Sequence, residues 1–190
     1  MILNPGSRFS AVLDACVLAP MPLCDTLLRR AEEPALFNPL WSSETLEEVR
    51  RTLDKFGYTE MQTDRRLRAM EAAFPEASVH LSPRHLKASP ELPDPKDKHV
   101  LAAAIRKHAS TIVTFNLKHF PRSVLEPSGI VASSPGEFLI SLLRRDRAQM
   151  LKVLDAQARA VGQSRPDVLE KLKSAVPAFV KAVETKSRQN

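Results

Sequence analysis

Residues 94–116, DPKDKHVLAAAIRKHASTIVTFN, constrain the fold most: two aspartates open a helix, and the β-branched strand after it ends in a hydroxyl and an amide. Asp94 is a favourable N-cap, Pro95 suits the first helical position and Asp97 falls at the third. From Asp97 the apolar positions step to Val100, Leu101, Ala104 and Ile105, the spacing of a buried helical stripe. Asp97 lies in line with that stripe, so its carboxylate is partly desolvated unless a cation or several donors meet it. The run from Thr111 to Phe115, which includes Thr114, has the length and branching of a buried strand, with Asn116 at its carboxyl end. Two readings stand from these residues alone. In one, Asp94 caps, Asp97 complements the helix dipole and Asn116 turns the chain; in the other, all three belong to a site.

Upstream, Phe9 to Leu13 reads as the first strand, and Asp14 follows at once. The carboxyl ends of parallel strands are where loops converge on a crevice, although Asp14 is also a suitable turn residue before a helix over 22–31. After the short segment 36–41, Ser42 or Ser43 caps a helix that Gly57 ends. Leu46, Val49, Leu53 and Phe56 form its inward stripe. Glu44 and Glu48 share a face beside that stripe while Glu47 points elsewhere, so Glu48 either faces a site at the core's edge or supports Arg51 or Thr52 on the surface.

Thr59 with Gln62 predicts a capping box for a helix to about Phe74, with Arg65, Arg66 and Arg68 on or near its outer side. Residues 77–81 read as a third strand, and 82–93, with Pro83, Pro90 and Pro93, as loop. Past Asn116 come a turn-rich connection, an edge strand over 129–132, and a helix from Ser134-Pro135 that carries Phe138, Leu139, Leu142 and Leu143.

The 190 residues bound a single core with a smaller helical addition. Cys16 and Cys24 are too few for a disulfide framework and read as buried small hydrophobes, and the five histidines make no zinc-binding pattern. No run of about 18 apolar residues offers a membrane span. The first ten residues, MILNPGSRFS, lack the apolar core of a leader, so a cytoplasmic protein is expected.

The net charge of +6 is unevenly placed: residues 139–190 hold 11 basic and 5 acidic side chains, and the rest of the chain holds 17 of each. A basic segment beside a neutral domain points to a polyanion such as nucleic acid. Its apolar positions, among them Leu154, Leu172, Phe179 and Val183, form amphipathic faces that must pack on the domain, a second copy or a partner.

Short apolar strands alternating with helices indicate an α/β fold with a mostly parallel sheet. Asp14, Asp97 and Asn116 at the carboxyl-end rim, joined by Glu48 from a nearby helix, form an oxygen-rich cluster. Carboxylates so placed repel one another unless cations neutralise them, and hard oxygen ligands favour Mg2+ or Mn2+ over zinc. That chemistry suits hydrolysis of a phosphodiester. A phosphatase of the haloacid-dehalogenase kind would need an aspartate two residues after Asp14, where Cys16 stands, and no phosphate-binding GxxxxGK[ST] stretch exists.

VLDACVL, SSETLEEVRRTL, DPKDKHVLAAAI, IVTFNLKHFP and SSPGEFL together resemble the successive motifs of PIN-domain nucleases over about residues 9–143, most nearly the VapC-like ribonuclease toxins of bacterial toxin–antitoxin pairs. The resemblance implies a PIN-like α/β/α sandwich with a mostly parallel central sheet. Residues 1–145 would form the nuclease domain, and 146–190 a basic helical C-terminal extension like one carried by a subset of these toxins. It implies Asp14, Glu48 and Asp97 as metal ligands for Mg2+ or Mn2+, with Asp94 and Thr114 in support. Asn116 stands where many members have a fourth acid, which weakens the hold on a second cation. An RNA substrate, a cognate antitoxin and a homodimer are implied as well. The alternative is a PIN fold that binds RNA or protein without cleaving.

Overall fold

The computed structural model describes residues 9–32 and 34–185. Met1–Arg8, most of the segment read above as lacking a leader, and residues 186–190, the end of the basic tail, lie outside the described residues. In chain order the elements begin with β1 (Phe9–Leu13), α1 (Ala15–Leu18), α2 (Met21–Ala31), β2 (Phe37–Ser42), α3 (Ser43–Lys55) and α4 (Glu60–Ala73). They continue with β3 (Ser78–Val79), α5 (Pro83–Ala88), α6 (Lys98–Arg106), β4 (Thr111–Val113), α7 (Arg122–Leu125) and β5 (Val131–Ser133). The chain closes with α8 (Pro135–Arg145), α9 (Arg147–Ala160), α10 (Arg165–Lys173) and α11 (Pro177–Glu184).

The five strands pair in parallel in the order β3-β2-β1-β4-β5. The chain therefore builds outward from β1 on one side and then crosses to β4 on the other, which makes the gap between β1 and β4 the point where ligand crevices form in such sheets. Alternate residues supply the two faces. Ala11, Leu13, Phe37, Trp41 and Val113 join one apolar core with α2, α3, α4 and α8; Val12, Leu40, Val79 and Ile112 join the other with α6 and α7. This is the expected α/β/α sandwich.

Local signals set most element ends. Ser42 accepts the Thr45 N–H, the box Thr59–Gln62 forms as the sequence predicts, and the helix expected from Ser134-Pro135 is closed by a further box, Ser134–Glu137. Pro39 is tolerated inside β2 because Trp41 donates its N–H toward β3, and two residues earlier on that side β3 has not begun. Three expectations need correction. Residues 83–88 are helical, not loop: Pro83 takes the first helical position after Ser82, whose backbone N–H meets the His85 ring at 3.0 Å. Arg66 does not face outward; it donates to the carbonyls of Leu18 and Ala19 at 2.5 and 3.0 Å and so ties down the end of α1. Phe56 leaves the inward stripe, because the helix ends at Lys55 and turns it into solvent.

The tail helices pack on the domain itself. Met150, Leu154, Leu172, Phe179 and Val183 continue the core that holds Leu27 of α2 and Phe138 of α8. Buried Thr26 donates to Gln157 Oε1 at 2.8 Å, and Gln157 Nε2 donates to the Pro22 carbonyl at 2.9 Å. Arg147 donates to the carbonyls of Ala182 and Val183 at 3.0 and 2.6 Å, which fastens α11 to the start of α9. Among the described residues no helix is long and apolar enough to cross a membrane.

Candidate functional site

β1 delivers Asp14 to the sheet's carboxyl-end rim. The Asp14 N–H donates to the Val113 carbonyl at 3.1 Å, extending the ladder by one residue and fixing its backbone between β1 and β4. Asp14 is 3% exposed, and its carboxylate accepts the Thr114 hydroxyl at 2.6 Å and the Cys16 thiol at 3.2 Å. Thr114, the first residue past β4, is buried, and its oxygen also accepts the Asn116 N–H at 3.0 Å. One hydroxyl thus positions both an acid and the loop that carries the amide.

Asp94 does cap: its Oδ1 accepts the Lys96 N–H at 3.0 Å. Asp97 does not cap with its side chain. It closes the 3-10 turn Pro95–Asp97 and instead accepts a hydrogen bond from His119 Nδ1 at 2.7 Å. Burial chiefly, and then the nearby charges of Asp14 and Asp94, raise the Asp97 carboxyl above its ordinary value, while the His119 bond pulls the other way. Asp97 is thus a buried acid close to other acids, and it stands at the N-terminal end of α6 as well.

Glu48 is half-buried on α3, with its Oε1 3.4 Å from His99 Nε2; His99 Nδ1 lies 2.9 Å from the Ser42 hydroxyl. This pairing orients Glu48 when Nε2–H donates to the carboxylate and Nδ1 accepts from Ser42. Glu44, one turn earlier, is half-buried on the same side. Asp14, Glu44, Glu48, Asp97, His99 and Asn116 line a single cleft of about 890 Å³, with Arg51, Lys55, Phe56 and Lys96 around its mouth.

The structure therefore brings together the residues singled out in the sequence, and adds three that were passed over. His119 is the first: among the described residues, Asp94, Asp97 and His119 each bring one ligand atom within 4.8 Å of the others. The second is His99, and the third is Cys16. Cys24 is buried as expected, but Cys16 is half-buried against Asp14; burial first and the Asp14 charge second push its thiol up to about 12. The signals were present locally in LKHFP, whose His119 is three residues past Asn116, and in the half-turn after Asp14, yet only the tertiary pairing gives them meaning.

The donor set fits a hard divalent cation. Its oxygens come from carboxylates, and at Asp97 burial and the neighbouring acids already disfavour the charged state, which a 2+ ion would relieve.

Residues 10–118 match the family described as PIN domain. A stretch of 65 residues is 48% identical to the protein named "Putative ribonuclease VapC50" from Mycobacterium tuberculosis (strain ATCC 25618 / H37Rv), covering 32% of this chain and 38% of that relative. The match thus spans well under half the length of that relative. No solved structure matches the chain. The family match runs through more than half of the chain, from β1 past Asn116, and takes in Asp14, Glu48 and Asp97: the chain belongs to the PIN domain family.

Proposed function

We propose that this chain is a metal-dependent endoribonuclease that hydrolyses RNA phosphodiester bonds and serves as the toxin of a type II toxin–antitoxin pair. One observation carries the reading: three acids from β1, α3 and the start of α6 converge in one cleft at the point where the sheet reverses its strand order. Family membership and the stretch similar to a protein named as a ribonuclease support it.

In this reading Asp14, Glu48 and Asp97 hold Mg2+ or Mn2+, which when bound supplies Lewis acidity to a water and to the scissile phosphate. The protein's own groups do the rest. Thr114 and Cys16 hold Asp14, His119 holds Asp97, and His99 meets Glu48, so each of the three acids has a partner that orients it. Asn116 presents an amide to orient a water or a phosphate oxygen, Asp94 adds charge beside Asp97, and Glu44 adds charge beside Glu48. Residues 1–145 act as the nuclease domain and 146–190 as a basic extension, in a cytoplasmic homodimer silenced by a cognate antitoxin.

A second reading, a PIN fold that binds RNA or protein without cleaving it, is favoured by the neutral Asn116 where a fourth acid would add charge. Incubating total bacterial RNA with purified protein in Mg2+, Mn2+ or chelator, wild type beside Asp97→Asn, separates the two. Metal-dependent fragments from the wild type alone support the nuclease; intact RNA that is nevertheless bound supports the second reading.

A further inference from the structure

We propose that Phe56, together with Arg51 and Lys55, forms a platform at the mouth of the cleft that stacks an unpaired nucleobase of single-stranded RNA and holds the neighbouring phosphate; this deepens, and rests on, the ribonuclease reading. The cleft-facing row of α3 changes character along its length. Glu44 and Glu48 come first, then Arg51 and Lys55, at helical spacings of three and four that keep them on one side. Seven residues separate Glu48 from Lys55, about 10 Å along the axis, so one strand can lie with a phosphate at the acids and another at the bases.

Phe56 follows at the helix end. Helical periodicity assigns it to the core, yet it is 58% exposed, while Leu53 before it and Tyr58 after it do the packing. Its backbone is nevertheless fixed. The Phe56 N–H donates to the carbonyls of Thr52 and Leu53 at 3.1 and 3.0 Å, and Gly57 adopts φ 82° and donates to Asp54 at 2.9 Å, a conformation that favours glycine. An apolar ring held in water on a rigid backbone at the edge of an acidic cleft suits a base face, since little order is lost on stacking.

The charges complement that ligand. Arg51 and Lys55 are exposed and, among the described residues, in no ion pair, whereas the adjacent Arg50 pairs with Asp64 at 2.6 Å. Duplex RNA hides its base faces, so the platform selects unpaired segments.

The test uses the full-length protein in chelator, so that RNA stays intact, with a fluorescein-labelled single-stranded RNA 12-mer and the same sequence as a duplex. Phe56→Ala is expected to weaken single-strand binding about tenfold or more with duplex binding unchanged, Phe56→Trp to retain it, and Phe56→Leu to fail to restore it. Arg51→Gln and Lys55→Gln should each flatten the salt dependence by about 0.7 in log–log slope. All three Phe56 variants change an exposed ring, and circular dichroism checks that they fold. Unchanged affinity in Phe56→Ala, or full binding by Phe56→Leu, overturns the platform. So does a change of oligomeric state in Phe56→Ala with RNA affinity intact, which would assign the ring to an interface between copies. Single-stranded RNA bound equally by the wild type and Phe56→Ala overturns the platform alone; a wild type that binds neither RNA overturns the ribonuclease reading with it.

Discussion

Thr114 donates its hydroxyl to Asp14 Oδ2 at 2.6 Å, joining residues a hundred positions apart at the ends of the two central strands. Asp14 is buried, and this donor and the Cys16 thiol both satisfy its Oδ2. Thr114→Val keeps the shape and removes the donor. The expected result is a loss of about 1–3 kcal/mol in urea unfolding and metal affinity about 10–100-fold weaker. Thr114→Ser should recover most of both.

Asp97 sits higher than an ordinary carboxyl, through burial first and then through Asp14 and Asp94. A carboxyl whose folded pKa is raised binds its proton more tightly in the native state, so its contribution to stability is present at low pH and is lost as pH rises through the folded value. In chelator, therefore, Asp97→Asn should gain on the wild type between a pH below about 4 and pH 7. Urea unfolding at both ends of that window measures the change, and a wild type that gains on the variant would contradict the crowded-carboxylate geometry. Mg2+ or Mn2+ at a hundredfold its dissociation constant should then stabilise the wild type by about 2.7 kcal/mol and the variant much less.

His99 reaches Glu48 from a buried position backed by Ser42. His99→Ala leaves Glu48 free to swing, so thermal-shift titrations with Mn2+ should move about 10–100-fold to higher metal. Cleavage should return at saturating metal if His99 acts only by positioning the acid. His99→Gln, which keeps a donor, should fall between the two. Loss of cleavage that no metal concentration restores would give His99 a different role.

Signals that act within one turn or strand were legible in the sequence, and those that depend on distant partners were not. The run ending in Asp14, the Ser42 cap, the capping box at Thr59 and the helix start at Ser134-Pro135 each act within a few residues, so their reading transferred directly to the structure. The α5 helix was missed because three prolines read as breakers, although Pro83 after Ser82 is itself a helix start. His119 and His99 carry no local pattern: their partners lie 22 and 51 residues away and meet them only after the sheet assembles. Phe56 followed the stripe's periodicity, and only the helix end at Lys55 removes it from the core. The tail's apolar faces were plain, but nothing local named α2 and α8 as what they cover.

That docking decides how the tail's charge can be tested. Deleting it would strip Phe179, Leu154 and Leu172 from the core they share with Leu27 and Phe138, so lost RNA binding would report unfolding. Arg147 is also unsuitable, since its guanidinium is spent on the α11 carbonyls; Arg147→Ala should cost about 1–3 kcal/mol and speed hydrogen exchange in α11. Lys152, Arg159 and Lys181 are exposed and, among the described residues, in no ion pair. Replacing all three with Gln should leave the fold intact and reduce the log–log salt slope of single-stranded RNA binding by about 2, or about 0.7 for each phosphate that is no longer neutralised. An unchanged slope in the folded triple variant would leave the extension as a cover for α2 and α8, with the RNA held at the cleft alone.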